Sequence, residues 1–326
     1  MDLACSIAPP AMALAVLLAL AIDRLWGEPP AAWHPVVWMG RYLGAAGKLV
    51  APPAPVHGAA AARTFILGAL AWSAGALLAA LAALAACALL APLHWSAQAL
   101  AMGFLLKPLL AWRMLHAEVK AVEDALGDSL AAGRARLAWL VSRDVAALDA
   151  GQVRESAIES LAENLNDSVI APLFWFAVAG LPGAALYRFA NTADAMWGYR
   201  GMRQGRHWTW AGKWAARADD VLCWAPARLT AVLLCLAGKA GGLRRVAAEA
   251  RLTPSPNSGW PMAAMALQLD IRLGKPDVYT LHAAGRCPAA DDTAQALRIA
   301  SRAVSALAWA ALAAFIAAVI IQGARG

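Results

Sequence analysis

Long apolar runs alternate with shorter polar segments along this chain of 326 residues. An α-helix needs about 20 consecutive apolar residues to cross a bilayer. Four uninterrupted runs approach that length and are predicted to be full spans; they cover residues 7–22, 64–93, 97–112 and 303–321. The first run lacks a basic start and a small-residue cleavage site, which favours a retained span over a signal peptide.

Two further apolar runs are interrupted by residues that disturb helices. Residues 169–187 contain Gly180 and two prolines, and residues 221–237 contain Pro226 and an arginine. Non-helical backbone is tolerated at membrane depth where it packs against protein or lines a cavity. Both runs are therefore predicted to be broken or re-entrant segments; the alternative is two ordinary spans.

The basic residues predict the orientation of the chain. Nearly all of the 28 Lys and Arg lie in four polar segments, at residues 23–63, 113–168, 188–220 and 238–302. Because loops rich in Lys and Arg stay in the cytoplasm, all four segments are predicted to be helical cytoplasmic loops. The protein is then expected in the cell (inner) membrane, with its N-terminus outside and its polar segments accessible from the cytosol.

Composition narrows the classes of function. The net charge of +7 is explained mostly by topology, and no spacing typical of a nucleic-acid-binding module occurs, so no nucleic-acid partner is expected. The five cysteines form no C-x-x-C motif, so neither a disulfide nor zinc is expected. The positive charge suits anionic ligands that arrive from the cytosol, and the 15 Trp include several near run ends, as in contacts with membrane lipid.

Four carboxylates recur at a spacing of four residues: Glu155, Glu159, Glu163 and Asp167. On one helix this spacing places them on one face. Like charges repel by about 0.2–0.5 kcal/mol for each such pair, so a cation, arginines or a metal-bound phosphate should compensate them. No Lys or Arg lies between the first and the last acid, which favours an enzyme site; a solvated helix face is the alternative.

Other polar motifs have the chemistry of a magnesium–phosphate site, which needs one or two carboxylates and guanidinium groups. A turn that precedes a helix N-terminus can also hold an anion. The residues in these motifs are Asp23 and His34 after the first span; Asn191, Asp194, Tyr199 and Arg200; Arg217, Asp219, Asp220 and Arg228; and Asn257 and Ser258 in a turn. No Walker A, dinucleotide-binding or H-E-x-x-H motif occurs.

Together these motifs resemble the cobalamin biosynthesis family CobD/CbiB, called adenosylcobinamide-phosphate synthase. The resemblance runs from about residue 20 to residue 280, with its blocks in the same order. The matching blocks are Asp23 with Gly27-Glu28-Pro29 and His34-Pro35-Val36; Glu159-Ser160-Leu161-Ala162-Glu163-Asn164 with Asp167; Asn191-Thr192-Ala193-Asp194 with Tyr199; Arg217, Asp219-Asp220 and Arg228; and Pro256-Asn257-Ser258-Gly259-Trp260-Pro261. The chain departs from the family pattern at Glu28, Ser168 and Cys223.

The resemblance implies one membrane-embedded catalytic domain over residues 1–326 and an ATP-dependent, Mg²⁺-dependent ligase. Such a ligase would join a propionate of adenosylcobyric acid to 1-amino-2-propanol or its O-phosphate. The implied magnesium ligands are Glu163, Asp167, Asp194, Asp219 and Asp220. The implied substrate- or phosphate-binding residues are Asp23, Asn164, Asn191, Tyr199, Arg200, Arg217, Arg228, Asn257 and Ser258, and the catalytic residues are His34, Glu159, Glu163 and Asp167. Either His34 or Glu159 would be the general base.

Two other classes of function remain open. A membrane transferase that acts on lipid diphosphates also uses acids with magnesium, but it should have two Asp-rich motifs in two similar halves. A transporter should have inverted repeats and charges within its spans. The expected partners are the corrinoid, aminopropanol or its phosphate, membrane lipid, and other membrane enzymes of the late cobalamin pathway.

Overall fold

The computed structural model describes residues 7–141, 143–238 and 242–324. The chain divides into two compact units. The first unit comprises Met1–Leu110, Ala171–Leu222 and Ala311–Gly326, and the second comprises Ala111–Ile170 and Cys223–Ala310. The single catalytic domain expected from the sequence stays a prediction.

Helices form nearly all of the regular structure. They are α1 Pro9–Trp26, α2 Pro35–Val50, α3 Gly58–Leu90, α4 Trp95–Leu106, α5 Trp112–Asp128, α6 Leu130–Leu137, α7 Ala150–Leu165, α8 Ala171–Trp197, α9 Lys213–Ala237, α10 Leu243–Ala250, α11 Gly259–Leu269 and α12 Ala290–Gly323. The described part of the chain also contains two short antiparallel hairpins. They are β1 Met202–Arg203 with β2 Arg206–His207, and β3 Leu273–Lys275 with β4 Tyr279–Leu281.

Five helical stretches in the described part of the chain are long and apolar enough to cross a membrane. They are α1, α3, the continuous stretch Ala150–Trp197, α9 and α12. The prediction of an all-α polytopic membrane protein is therefore confirmed. The stretch Ala150–Trp197 consists of α7, a π-helical turn at Asn166–Ile170, and α8.

The prediction that residues 97–112 form a full span was wrong. The run contains α4, which has 12 residues and is followed by a 3₁₀ turn at Lys107–Leu109. At 1.5 Å per residue, α4 is about 18 Å long, well short of a hydrocarbon core of about 30 Å. Pro108 has no N–H for an i→i−4 hydrogen bond, the helix tightens into the 3₁₀ turn there, and the backbone becomes extended at Leu110, where φ is −111° and ψ is 152°.

Of the two interrupted runs, the structure breaks one. In α8 the backbone leaves the helical region at Ala179 and Gly180, where φ of the glycine is +63°, a conformation that glycine adopts without steric cost. By contrast, α9 continues through Pro226. This proline has no N–H for the carbonyl of Leu222, and the indole of Trp175 donates to that carbonyl instead, at 3.0 Å. The prediction that residues 221–237 are broken was therefore wrong.

Aromatic and small residues build the core of the first unit. Trp197 stacks on Trp208 and donates its indole N–H to the carbonyl of Leu43 at 3.2 Å. Gly47 lies against both of these indoles, so a Cβ there would come within 3 Å of ring atoms. Small residues of this kind let membrane helices approach closely. The result is close packing of α2, α3 and α8.

In the second unit, α7 is packed against α5, α6 and α11. A side-chain cap begins α7: Asp149 accepts from the N–H of Gln152, and the Gln152 side chain accepts from the N–H of Asp149. Such a capping box satisfies two N–H groups that the first turn leaves without partners. A half-buried ion pair between Arg154 and Glu123, with 2.8 Å between Nη2 and Oε1, joins α7 to α5.

Candidate active site

The four acids at i,i+4 spacing lie on α7 and on the π-helical turn that follows it, but they do not share one environment. Glu155 and Glu159 are buried, Glu163 is exposed and Asp167 is half-buried. Four residues rotate about 40° beyond one turn of an α-helix, so the row drifts around the axis. The expectation of one common acid face is therefore corrected to a row with a buried end and an open end. Hereafter these four residues are called the acid row.

Arginines from other elements of the second unit compensate the buried end of the row. Arg143 Nη2 lies 3.2 Å from Glu159 Oε2, and Arg272 Nη2 lies 3.3 Å from Glu155 Oε1. Of the three compensating groups that the sequence left open, arginine is thus the one found for these two acids. Arg154, on the same helix as the row, pairs with Glu123.

Tyr279 on β4 is a neighbour of the row that the sequence analysis did not select. Burial, together with the negative charges of Glu159 and Glu163, raises the pKa of this phenol well above its usual value. The hydroxyl therefore stays protonated at neutral pH and remains a donor beside the carboxylates. Arg143, Arg272 and Tyr279 were all missed because each lies outside the motif on α7 and belongs to no motif of its own.

Asp167 and Asn164 are held by hydrogen bonds within the second unit. Asn166 donates from Nδ2 to Asp167 Oδ1 at 2.8 Å, and its own Oδ1 accepts from the Thr230 hydroxyl at 2.9 Å. Asn164 donates to the carbonyl of Ser160 at 2.9 Å. A π-helical turn at this point is notable because such turns often occur at functional sites.

Arg228 holds the turn that contains Asn257 and Ser258. Its guanidinium donates to Asn257 Oδ1 at 2.6 Å and to the carbonyl of Pro256 at 3.1 Å, and it lies 4.7 Å from each of the ring centroids of Trp224 and Trp260. The backbone N–H groups of Asn257 and Ser258 both donate to Ser255 Oγ at 3.2 Å. In this arrangement the donors expected to hold an anion serve the turn itself.

A cavity of about 330 Å³ in the first unit brings several predicted residues together. Its lining includes Tyr199, Arg200, Arg217 and Asp220, with Lys213, Thr209, Gly198, Gly212 and Ala216. The three basic side chains are exposed, and the cavity lies at the start of α9, where backbone N–H groups and the helix dipole favour anions. Hereafter it is called the basic cavity.

Asn191, Asp194 and Asp219, which the sequence analysis also selected, are not among the described residues that line the basic cavity. Asp194 and Asp219 are half-buried, and a Cβ on Gly198 would come within 2.0 Å of Asp194 Oδ1, so the glycine leaves room for that carboxylate. Asn191 Oδ1 accepts from Arg188 Nη1 at 3.4 Å, a long hydrogen bond. In the described residues, no three His, Cys, Asp or Glu side chains are placed to hold a metal ion by themselves.

Asp23, Glu28, His34 and Lys107 form a charged cluster in the first unit, hereafter called the ion cluster. Lys107, whose side chain is 4% exposed, lies 3.3 Å from Asp23 Oδ1 and 2.8 Å from Glu28 Oε2. Burial tends to raise the pKa of Glu28, but hydrogen bonds from His34 and Lys107 and their charges outweigh it, so the pKa lies below its usual value. The sequence analysis missed Lys107 because it stands alone in an apolar run.

His34 uses both of its ring nitrogens in this cluster. Nδ1 accepts from the N–H of Val36 at 3.2 Å and so caps α2. The proton is then on Nε2, which lies 3.1 Å from Glu28 Oε2 and donates to it. With both nitrogens engaged, the ring has no lone pair available for a substrate proton in this arrangement.

Taken together, the described chain is a polytopic all-α membrane protein that combines a row of acids, a basic cavity and a buried ion cluster. The model of the family described as "CobD/Cbib protein" matches residues 16–308. The chain therefore belongs to the CobD/CbiB family, and the resemblance found in the sequence is confirmed.

Curated relatives cover nearly the whole chain. A protein of Chromobacterium violaceum named "Cobalamin biosynthesis protein CobD" is 41% identical over 96% of this chain and 98% of its own length. One of Thermococcus kodakarensis, "Probable cobalamin biosynthesis protein CobD", is 42% identical over 87% of this chain and 89% of its own length. A protein of Brucella suis, also named "Cobalamin biosynthesis protein CobD", is 37% identical over 80% of this chain and 81% of its own length. No solved structure gives a significant match.

Proposed function

We propose that this chain is an enzyme of cobalamin biosynthesis that forms an amide bond at the expense of ATP. It would join a propionate of adenosylcobyric acid to 1-amino-2-propanol or its O-phosphate, giving adenosylcobinamide or its phosphate. The observation that carries the proposal is the family match over residues 16–308, with relatives named for cobalamin biosynthesis along nearly the whole chain.

The basic cavity supports the use of a nucleoside triphosphate. Arg200, Lys213 and Arg217 present three exposed cations at the N-terminus of α9, against the single acid Asp220. Guanidinium groups bind phosphate oxygens bidentately, and phosphoryl transfer depends mainly on positioning and on neutralising charge. We therefore assign the triphosphate to this cavity.

The carboxylates fit magnesium that is shared with phosphate rather than held by protein alone. Mg²⁺ in such sites keeps several waters and takes one or two carboxylates along with phosphate oxygens, which agrees with the lack of a three-acid cage among the described residues. Glu163 and Asp167 at the open end of the acid row would hold it, or Asp194, Asp219 and Asp220. When bound, it would neutralise charge on the phosphates.

The chemistry requires activation of the propionate and a base for the amine. A carboxylate does not condense with an amine in water, so its oxygen would first take the γ-phosphoryl group of ATP and form an acyl phosphate. The amine nitrogen then attacks the acyl carbon, phosphate leaves, and a base takes the ammonium proton. His34 has both ring nitrogens engaged, so of the two candidates we favour Glu159 as the base.

Product analysis tests the reaction directly. Purified protein in detergent would receive adenosylcobyric acid, ATP and magnesium, with 1-amino-2-propanol or its O-phosphate in separate reactions. We expect the mass of the amide with at least one amine, together with stoichiometric ADP and phosphate. ATP-independent transfer to a lipid acceptor, or no product with either amine, would return the chain to the transferase or transporter hypothesis.

The orientation has its own test at the tip of the first hairpin. Gln204 is exposed in the turn between β1 and β2, so Gln204→Cys should be accessible to a thiol reagent. We propose that this tip lies in the cytoplasm. The labelling variant should also carry Cys287→Ser, because Cys287 is exposed and would react with the same reagent. An impermeant reagent should then label it in inverted vesicles and not in intact cells; labelling in intact cells would overturn the orientation and leave the reaction untouched.

A further inference from the structure

We propose that a second, larger cavity of the first unit holds the ring system of the corrinoid. This inference rests on the proposed function and assigns one of its substrates to a place. The cavity measures about 860 Å³ and is lined by α1, α2, α3, α4 and α8 with the turns that connect them. Ligand cavities range from about 300 to 1,000 Å³, so this one suits a large ligand. Hereafter it is called the aromatic cavity.

The walls of the aromatic cavity are apolar and rich in rings. Trp26, Trp33, Trp38, Tyr42, Phe104 and Phe189 all contribute to the lining. Small residues of α3, namely Gly75, Ala79, Ala82, Ala83 and Ala86, form another part of the wall. Flat aromatic side chains beside small ones provide room and stacking surface for a broad, planar ligand.

The polar part of the lining is the ion cluster of Glu28 and Lys107. Lys107 is shared between Glu28, which lines the cavity, and Asp23, which does not, so these three groups together carry one net negative charge. Glu28 Oε1 is buried and has no hydrogen-bond partner within the described residues. Because buried polar atoms are nearly always hydrogen-bonded, this oxygen points to a ligand that brings an N–H or O–H donor.

Charge and size together select one of the three proposed substrates. ATP carries several negative charges and would be repelled by a net negative cluster between apolar walls. The three-carbon amino alcohol is far too small for the volume. The corrinoid has a wide ring system, which suits the walls, and primary amides around its rim, which can donate to Glu28 Oε1.

A membrane lipid is the competing occupant, because α1 and α3 are long enough to span a bilayer. An acyl chain would fill the volume but would leave Glu28 Oε1 without a donor, which is unfavourable for a buried polar group. A rim amide satisfies that oxygen. The cavity is therefore assigned to the corrinoid, and lipid becomes an outcome of the test.

Two alanines of α3 give a matched pair of variants. Ala82 lines the aromatic cavity, whereas Ala85 is also exposed on the same helix but lies outside the lining. We expect Ala82→Phe to weaken binding of adenosylcobyric acid at least tenfold in equilibrium dialysis without ATP or amine. Ala85→Phe should bind as the wild type does, and KM for ATP should be unchanged in both.

A second pair removes bulk instead of adding it, in case Ala82→Phe does not fold. Trp33 lines the cavity and is 75% exposed, and Trp139 is 82% exposed in the second unit and lines no part of it. Trp33→Ala should weaken corrinoid binding severalfold, and Trp139→Ala should not. Both tryptophans are exposed enough for truncation to leave the fold intact.

The outcomes separate this inference from the proposed function. If wild-type protein forms the amide but both cavity variants bind adenosylcobyric acid normally, the aromatic cavity is not the corrinoid site and the reaction still stands. If Ala82→Phe instead expels a co-purified lipid, seen by native mass spectrometry, with corrinoid affinity unchanged, the cavity belongs to lipid. If the wild type neither binds the corrinoid nor forms the amide, both proposals fall.

Discussion

The ion cluster of the first unit and the acid row of the second both bury carboxylates in an apolar chain, but they are compensated differently. In the cluster, one lysine serves two acids, since Lys107 contacts both Asp23 and Glu28. In the row, each buried acid has its own arginine, with Arg143 at Glu159 and Arg272 at Glu155. At the open end of the row, Glu163 is exposed and Asp167 is half-buried.

This difference predicts where loss of one charge should act mainly on the stability of the fold. A buried charge is tolerated only when it is paired, and in the cluster Lys107 is a cation that two acids share. The row spreads the same requirement over two arginines, and its last two acids are less buried than its first two. Loss of charge should therefore affect stability in the cluster and activity at the open end of the row.

The largest effect is expected from Lys107→Met. This change leaves Asp23, which is fully buried, and Glu28 without their shared cation. Removing one partner of a buried pair costs about 3–5 kcal/mol, so the free energy of unfolding should fall by that amount. Thermal unfolding in detergent, followed by size-exclusion chromatography, measures the change.

The matched control for this prediction is Lys120→Met. Lys120 and Asp124 form an i,i+4 pair whose side chains are 60% and 62% exposed, and such a pair contributes about 0.3–0.5 kcal/mol. Similar melting of the two variants would show that burial of the cluster does not set its importance, and the contrast between the two regions would fail.

Much of the fold could be predicted from the sequence, because long apolar runs report directly on membrane helices. The spans α1, α3 and α12 were predicted from run length alone. The errors came where a polar or proline residue decided the outcome through a distant partner. Pro226 leaves α9 intact because Trp175 satisfies the carbonyl of Leu222. The run at residues 97–112 instead passes into a 3₁₀ turn around Pro108 and becomes extended at Leu110.

The site was predictable only in its local parts. The acid row and the residues of the basic cavity lie in motifs of adjacent residues, and the sequence named them. Their partners Arg143, Arg272 and Tyr279 come from other elements of the fold, and no spacing along the chain could indicate them. The π-helical turn was also hidden, since the i,i+4 pattern continues through it unchanged.

The next largest effect concerns the open end of the row. Glu163→Gln should lower turnover at least 100-fold, about 2.7 kcal/mol in activation free energy, because an amide cannot replace a carboxylate as an anionic ligand. Since Glu163 is exposed, the unfolding temperature should stay within experimental error. Asp167→Asn should behave in the same way, and single-turnover amide formation measures both variants.

Glu155→Gln is the comparison within the same row, because Glu155 is buried and paired with Arg272. It should change stability more than turnover. Wild-type turnover in Glu163→Gln and in Asp167→Asn would mean that the open end of the row is only a solvated helix face.

A smaller effect is expected in the basic cavity, whose cations are exposed while those of the row and the cluster are occupied by acids. Arg217→Lys keeps the charge but loses the planar, bidentate fork that binds phosphate. We expect KM for ATP to rise about tenfold, roughly 1.4 kcal/mol, with KM for the corrinoid unchanged. Arg24→Lys, an exposed change at the end of α1, should leave both constants unchanged; equal effects of the two substitutions would remove the triphosphate from this cavity.

The smallest effect is a pH dependence that again contrasts the two units. The pKa of Glu28 is held below its usual value by His34 and Lys107 against the effect of burial, and hydrogen bonding to His282 lowers the pKa of the exposed Asp270 in the second unit. A carboxyl with a lowered folded-state pKa stabilises the fold above its unfolded-state pKa, about 4 for both. That stability is lost as the pH falls through the folded-state value.

The difference in unfolding temperature between wild type and Glu28→Gln should therefore be constant at neutral pH and shrink below about pH 4. Asp270→Asn should give a smaller difference at every pH because solvent screens an exposed pair. A larger effect at Asp270 than at Glu28 would show that burial does not strengthen the ion cluster.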